Sequence, residues 1–339
     1  MRKIFGFFLA VVIFTGGIAA LAKNGQPVAG DAPNEPSALN YLLFGADNAG
    51  ANTDVILLLG YRFETNALTV MQLPRDTYIE VDGRGRKMNS IYANRLQEHG
   101  DRKQALQETS SAIAAALHIP IDGALLFGLS AFSGLVDRIG GVPINIPFAM
   151  EYHDEQQGLT ILLPAGETVL DGKRAEQFVR FRSAYLEGDV GRLDAQKLFM
   201  FAFLKKAMEE ADFSDLVSLV WNSGKDAVAQ GDVKSAIKIA ADAFSRKNET
   251  KFSFLTLPGT ALYDEEDATW YYVMNRDGGI KAIETYFYNE IFSPSELDEK
   301  ASFYKKGAAP FENIYFAADM PFAVYTPDNM EDIIIKKKE

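Results

Sequence analysis

The chain has 339 residues, and 34 Lys plus Arg against 46 Asp plus Glu give a formal net charge of −12. Hydrophobic residues make up 47%, too many for a disordered chain, and the acidic balance argues against a general nucleic-acid binder. The absence of cysteine excludes disulfides, thiolate metal sites and cysteine nucleophiles; three scattered histidines (His99, His118, His153) do not suggest a histidine-built metal site.

Met1-Arg2-Lys3 heads an uncharged apolar run from Ile4 to Ala22, which at 19 residues is near the ~20 that cross a bilayer as a helix. Arg2 and Lys3 place that end in the cytoplasm and everything after Lys23 outside, as in a single-pass protein of the cell membrane. Ala20-Leu21-Ala22 also has the small-x-small form of a signal-peptide cleavage site, so 1–22 is an anchor or a leader, and either exports the chain. Residues 23–37 collect Gly, Pro, Asn and Asp, which predicts a flexible tether.

Strand patterns follow at Leu39–Gly45, Val55–Tyr61 and Leu68–Leu73, with Glu64-Thr65-Asn66 as a hairpin turn. Asp101–Leu117 has helical spacing, Ala124–Leu129 reads as a strand, Ala131–Ile139 as a helix closed by Gly140-Gly141, and Val142–Ile146 as a strand. Helices are expected from about Asp171, from about Gly191 to Glu210, and near 213–221 and 232–245; Lys251–Leu257 returns to a strand. This order predicts an α/β fold with a mixed central sheet flanked by helices on both faces. Residues 290–339 lack periodicity and suggest an appendage.

Chemistry gathers where strands stop. Asp47 follows the first strand and Asp54 opens the second, so the two carboxylates flank one short loop. Pro74 breaks the third strand and puts Arg75 and Asp76 on its loop. Phe178-Val179-Arg180-Phe181-Arg182 alternates apolar and basic, and as extended chain would turn both guanidinium groups to one side. Arg192 and Gln196, four apart, share a face at the start of a helix, where anions are favoured. Singly, each reads equally as turn chemistry or a surface ion pair; together they suit a phosphate group.

The stretches NYLLFGAD, TDVILLL, LPRDTYIEV, KMNSIYA, RIGGVPINIP, AGETVLDGKRAEQFVRFR and GDVGRLDAQ resemble the LytR–CpsA–Psr proteins of bacterial cell envelopes, from about Asn40 to Leu204, with a weaker echo over Phe252–Tyr286. The resemblance implies an α-β-α catalytic domain over 38–289 that moves a glycopolymer (teichoic acid, capsule or another wall glycan) from a polyprenyl-pyrophosphate carrier to peptidoglycan through a phosphodiester. It implies that Asp47 and Asp54 hold Mg²⁺, or Mn²⁺ in its place. It implies that Arg75, Arg180, Arg182, Arg192 and Gln196 bind the pyrophosphate, supported by Lys87 and Asn89. Asp76 and Asp47 are the candidate bases for the acceptor hydroxyl, and Asp76 reads equally as a residue that orients Arg75. Ala195 stands where the family commonly has a second Arg, and the Asp47–Asp54 loop is short.

A lipid substrate also needs an apolar slot, for which Leu125, Leu126, Phe127, Phe132, Leu135, Val136 and Ile139 are candidates, although ordinary core gives the same pattern. Two other functions fit the arginine set: a pyrophosphatase of the same lipid, with water as acceptor, and a non-catalytic binding or regulatory protein. A glycosidase built on paired carboxylates would leave the arginines without purpose.

Overall fold

The computed structural model describes residues 38–46, 52–155, 158–186, 189–210, 227–231, 246, 249–265 and 267–288, and single positions between 323 and 337. The apolar run, the tether, Asp47 and the helices expected at 213–221 and 232–245 lie outside the described residues. Among those described, no helix is long and apolar enough to cross a membrane.

The chain runs β1 (Ala38–Ala46), β2 (Thr53–Arg62), β3 (Ala67–Gln72), β4 (Tyr78–Val81), β5 (Arg84–Lys87), α1 (Met88–His99), α2 (Arg102–Leu117), β6 (Gly123–Gly128) and α3 (Leu129–Arg138). It continues with β7 (Val142–Ile146), β8 (Met150–Asp154), β9 (Leu159–Leu163), β10 (Gly166–Leu170), α4 (Gly172–Arg180) and α5 (Asp189–Glu210). Then come β11 (Ala227–Gly231), β12 (Lys251–Thr256), β13 (Gly259–Asp264), β14 (Thr269–Met274) and α6 (Arg276–Phe287).

Six strands form the central sheet in the order β11-β6-β1-β2-β3-β12. It is mixed: β1 pairs antiparallel with β2 and parallel with β6, and β12 runs parallel to β3. The central strands are apolar at nearly every position because both faces are covered. Leu43, Leu57, Leu59 and Leu125 point to one face, against α3, α4 and α5; Leu42, Phe44, Leu58 and Leu126 point to the other, against α1, α2 and α6. Each fully buried Leu contributes about 2 kcal/mol, which holds the sheet between its two helical layers.

Several elements depart from the sequence expectation. Four two-stranded pairings (β4-β5, β7-β10, β8-β9, β13-β14) and the helices α1 and α6 were not read from the sequence. The hairpin strands have four to six residues, and β5 is Arg-Gly-Arg-Lys, so periodicity has little to work on. The VRFR segment is not extended. Helix α4 continues through Arg180, capped at its start by Asp171, and the chain turns extended only at Phe181. Of the C-terminal stretch, the described positions pack on the domain: Tyr325 exchanges backbone hydrogen bonds with Phe254 (2.7 and 2.8 Å), and Met330 and Ile333 are buried in the core.

Candidate active site

The site is built at the end of the sheet where β1, β3 and β6 finish and β2 begins. Pro74 ends β3 and opens a turn closed by the Thr77 N–H on the Pro74 carbonyl (2.9 Å), which leaves Arg75 at its corner. The backbone of α1 holds this turn: Asn89 N–H donates to the Arg75 carbonyl (3.0 Å) and Met88 N–H to Thr77 (2.8 Å). Asn89 also accepts from Thr53 Oγ1 through its carbonyl (3.2 Å), so what it does here is join the two loops.

Arg75 Nη1 meets Asp54 Oδ1 at 2.6 Å, and its Nε faces Asp76 Oδ2 at 3.6 Å. Lys87 Nζ holds the other Asp76 oxygen at 3.0 Å and lies over the Tyr271 ring. Asp76 is thereby occupied on both oxygens and does not line the cavity beside Arg75. In this position its carboxylate orients Arg75 and Lys87. Lys87 and Asn89 do not line the cavity either.

Arg180 closes α4, paired with Glu176 one turn earlier at 2.8 Å, and Arg182 follows two residues on. They face one cavity although the segment between them is a helix end rather than a strand. Helix α5 carries Arg192, only 5% exposed, and Gln196, whose Nε2 donates to the Val179 carbonyl at 3.0 Å. That bond ties the last turn of α4 to the first turns of α5. Gln72 Nε2 fixes the same helix to the sheet through the Leu193 carbonyl (3.1 Å). Gly191 allows the approach: a Cβ there would stand 2.6 Å from Tyr185 Cβ. Burial pushes the Tyr185 phenol above its ordinary range, opposed by the nearby charge of Arg192.

These residues surround one cavity of about 240 Å³. Its polar lining is Asp54, Arg75, Arg180, Arg182, Arg192 and Gln196. The rest is apolar, with Phe127 of β6, Phe132 and Leu135 of α3 and Leu43 and Leu57 of the sheet. Of the other apolar candidates, Leu126 faces the opposite side of the sheet, while Leu125, Val136 and Ile139 are packed core on the cavity's side. Strand alternation separates Leu126 from Phe127.

Sequence reasoning missed Phe199, Met200 and Phe203 of α5, and Tyr152 and Leu159 of the β8-β9 hairpin. A signal existed for α5. Positions 192, 196, 199 and 203 repeat every three or four residues, so one face passes from arginine to phenylalanine over about 16 Å of helix. The cavity thus joins a cationic end to an aromatic one, and an amphiphile with an anionic head matches it. For a divalent ion, Asp54 offers a carboxylate that is 43% exposed at the cavity. One carboxylate with phosphate oxygens from a ligand suits Mg²⁺. Among the described residues, no three His, Cys, Asp or Glu side chains converge on one point.

Residues 17–285 match the family model described as LytR_cpsA_psr family. The chain is 25% identical over 246 residues to the polyisoprenyl-teichoic acid–peptidoglycan teichoic acid transferase TagU of Bacillus subtilis (strain 168), covering 69% of this chain and 75% of that one. Among solved structures, protein gbs0355 from Streptococcus agalactiae superposes with a TM-score of 0.62 at 18% identity, covering 78% of this chain and 89% of its own. TagV of B. subtilis gives 0.58 at 17%, covering 80% and 100%. At these identities the superpositions show the shared fold.

Proposed function

The chain belongs to the LytR–CpsA–Psr family, and from that premise we propose that it is a phosphotransferase, one that joins a glycopolymer from a polyprenyl-pyrophosphate carrier to peptidoglycan. One observation carries this reading: four arginines and a long aromatic wall line the same cavity. A pyrophosphate needs the arginines, and a prenyl chain needs the wall. The transferase named among the relatives acts on a donor and acceptor of this kind.

Arg75, Arg180, Arg182 and Arg192 would bind the pyrophosphate oxygens, Arg192 from the first turn of a helix, and Gln196 would hold Arg180's turn in place. Asp54, with Asp47 from the adjoining segment, would hold Mg²⁺, or Mn²⁺, whose chemistry is to neutralise charge on the diphosphate. The acceptor oxygen bonds to the phosphorus next to the glycan, the bond from that phosphorus to the bridging oxygen breaks, and polyprenyl phosphate leaves. The hydroxyl proton passes to a carboxylate, for which Asp47 is the candidate now that Asp76 is held by Lys87 and Arg75. Phosphoryl transfer of this type rests mainly on positioning and charge stabilisation, which arginines on fixed elements supply. The reading places the domain outside the cell membrane, tethered by residues 4–22.

The test is a ligation assay on the full chain with a polyprenyl-pyrophosphate sugar and peptidoglycan oligomers, with and without Mg²⁺. Metal-dependent attachment that disappears in Arg75→Ala and Asp54→Ala supports the transferase. Release of polyprenyl phosphate without attachment would mark a pyrophosphatase, and binding without turnover a carrier-binding protein.

A further inference from the structure

The described positions of 325–337 pack on one side of the sheet. Tyr325, Met330, Ile333 and Ile335 all join the core that contains Phe178, Phe181, Tyr185 and Phe199, and none joins the core on the opposite face. That side holds the cavity, which Phe199 also lines.

Two attachments reach the elements that carry the arginines. Tyr325 adds to the outer edge of β12 through its backbone bonds with Phe254, and its ring takes Lys197 Nζ at 5.0 Å. Lys197 is only 5% exposed and is paired with Asp194 at 2.7 Å. At about 3.6 residues per turn, 194 and 197 lie on the side of α5 turned away from Arg192 and Gln196. The ring thus covers an ammonium withdrawn from water, which an aromatic face favours.

Further on, Lys337 pairs antiparallel with Tyr185 and sets its Nζ 5.8 Å from the centroid of the Phe148 ring. Tyr185, Phe148 and Phe181 pack on one another with ring centroids 5.3, 5.9 and 6.3 Å apart. Arg182 lies between Phe181 and Tyr185 in the chain, and Tyr185 stands against Gly191, next to Arg192. Within this connection the Tyr185 N–H reaches the Arg182 carbonyl only at 3.4 Å, a weak bond.

We propose that residues 325–337 act as a clasp that positions Arg182 and Arg192. Through Lys197 the clasp braces the back of α5, and through Tyr185 it pins the connection from α4 to α5. Two arginines from separate elements grip one diphosphate well only if their spacing is set before the ligand arrives. Tyr325, Ile333 and Lys337 lie outside the cavity lining, so they act through the arginines and not on the ligand. That the ligand is the donor's pyrophosphate rests on the transferase reading; the clasp itself does not.

The test uses the full chain in detergent, with geranylgeranyl pyrophosphate as probe. Calorimetry follows binding, and amide hydrogen exchange follows local opening. Tyr325→Leu removes the aromatic face and keeps apolar bulk; Ile333→Ala loosens the middle of the clasp. Neither changes the charge, so a lost affinity for an anion cannot come from long-range electrostatics. Each should weaken probe binding about tenfold and speed exchange over 182–199, with α1 and α2 unchanged. Tyr325→Phe should behave as wild type. A wild-type chain that does not bind the probe would sink the transferase reading, and faster exchange confined to 182–199 in Tyr325→Leu would still support the clasp. Exchange that is unchanged or faster throughout the chain, probe binding that survives local opening, or a loss that Tyr325→Phe shares would each overturn the proposal.

Discussion

Arg75 Nη1 and Asp54 Oδ1 lie 2.6 Å apart and join the loop after β3 to the start of β2. With Arg75 19% and Asp54 43% exposed, water screens the pair in part and it is worth about 1 kcal/mol, so a pyrophosphate on the arginine or a divalent ion on the carboxylate can displace it. The pair keeps both groups at the cavity without committing either.

Replacing Arg75 by Ala should therefore cost activity rather than fold. Removing one preorganised donor from developing phosphate charge lowers kcat about 10²-fold, while stability changes by about 1 kcal/mol or less. Arg75→Lys should recover little, since one ammonium cannot bridge two oxygens in a plane. Ligation rates and melting curves on the same preparations decide this.

The aromatic wall should read the lipid. Phe132 lines the cavity and packs on Phe199 with ring centroids 5.5 Å apart. Phe132→Trp fills part of the space, so KM should rise about tenfold for a long-prenyl donor and stay unchanged for a short one. Equal effects on both donors would show that the prenyl chain lies elsewhere.

Gln196 should couple stability to donor binding. Its Nε2 bond to the Val179 carbonyl is largely buried, and Gln196→Ala leaves that carbonyl unpaired at a cost of about 1–2 kcal/mol. Because α4 is then less firmly held, the donor KM should rise as well. Gln196→Glu should be worse on both measures, since a carboxylate cannot donate and repels the pyrophosphate. Urea unfolding and donor titration check the two effects separately.

A surface network away from the site should set part of the acid limb of stability. Hydrogen bonds from Gln104, and then from His99, hold the Glu108 carboxyl below its usual 4.5, helped by the charges of His99 and Arg95. A folded-state value below the unfolded one gives stabilisation that is complete above pH 4.5 and is lost as pH falls through the lower folded value. Glu108→Gln should flatten melting temperature against pH in that acid range and leave it parallel to wild type near neutrality. Identical slopes in the two proteins would refute the assignment.

The residues that gather at the cavity were largely legible in the chain itself, because their signals are local. The short apolar runs Leu39–Gly45 and Val55–Tyr61, the Pro74 break and the four-residue spacing of Arg192 and Gln196 need no distant partner to be read. They place charged groups at strand ends and a helix start, and those groups do converge, although Asp47 lies outside the described residues and Asp76 is turned to Lys87.

What long-range packing decided was which apolar faces meet empty space and which meet each other. Leu126 and Phe127 are neighbours of similar hydrophobicity, yet one is core and the other lines the cavity, because helix α2 closes one face of β6 while α5 leaves a gap on the other. Arg180 and Arg182 share the cavity for a reason the alternation of VRFR did not contain: α4 ends between them, and Gln196 on α5 holds that end. Sequence periodicity specifies which residues are buried together on an element; only the docking of elements far apart in the chain determines whether the space between them is filled.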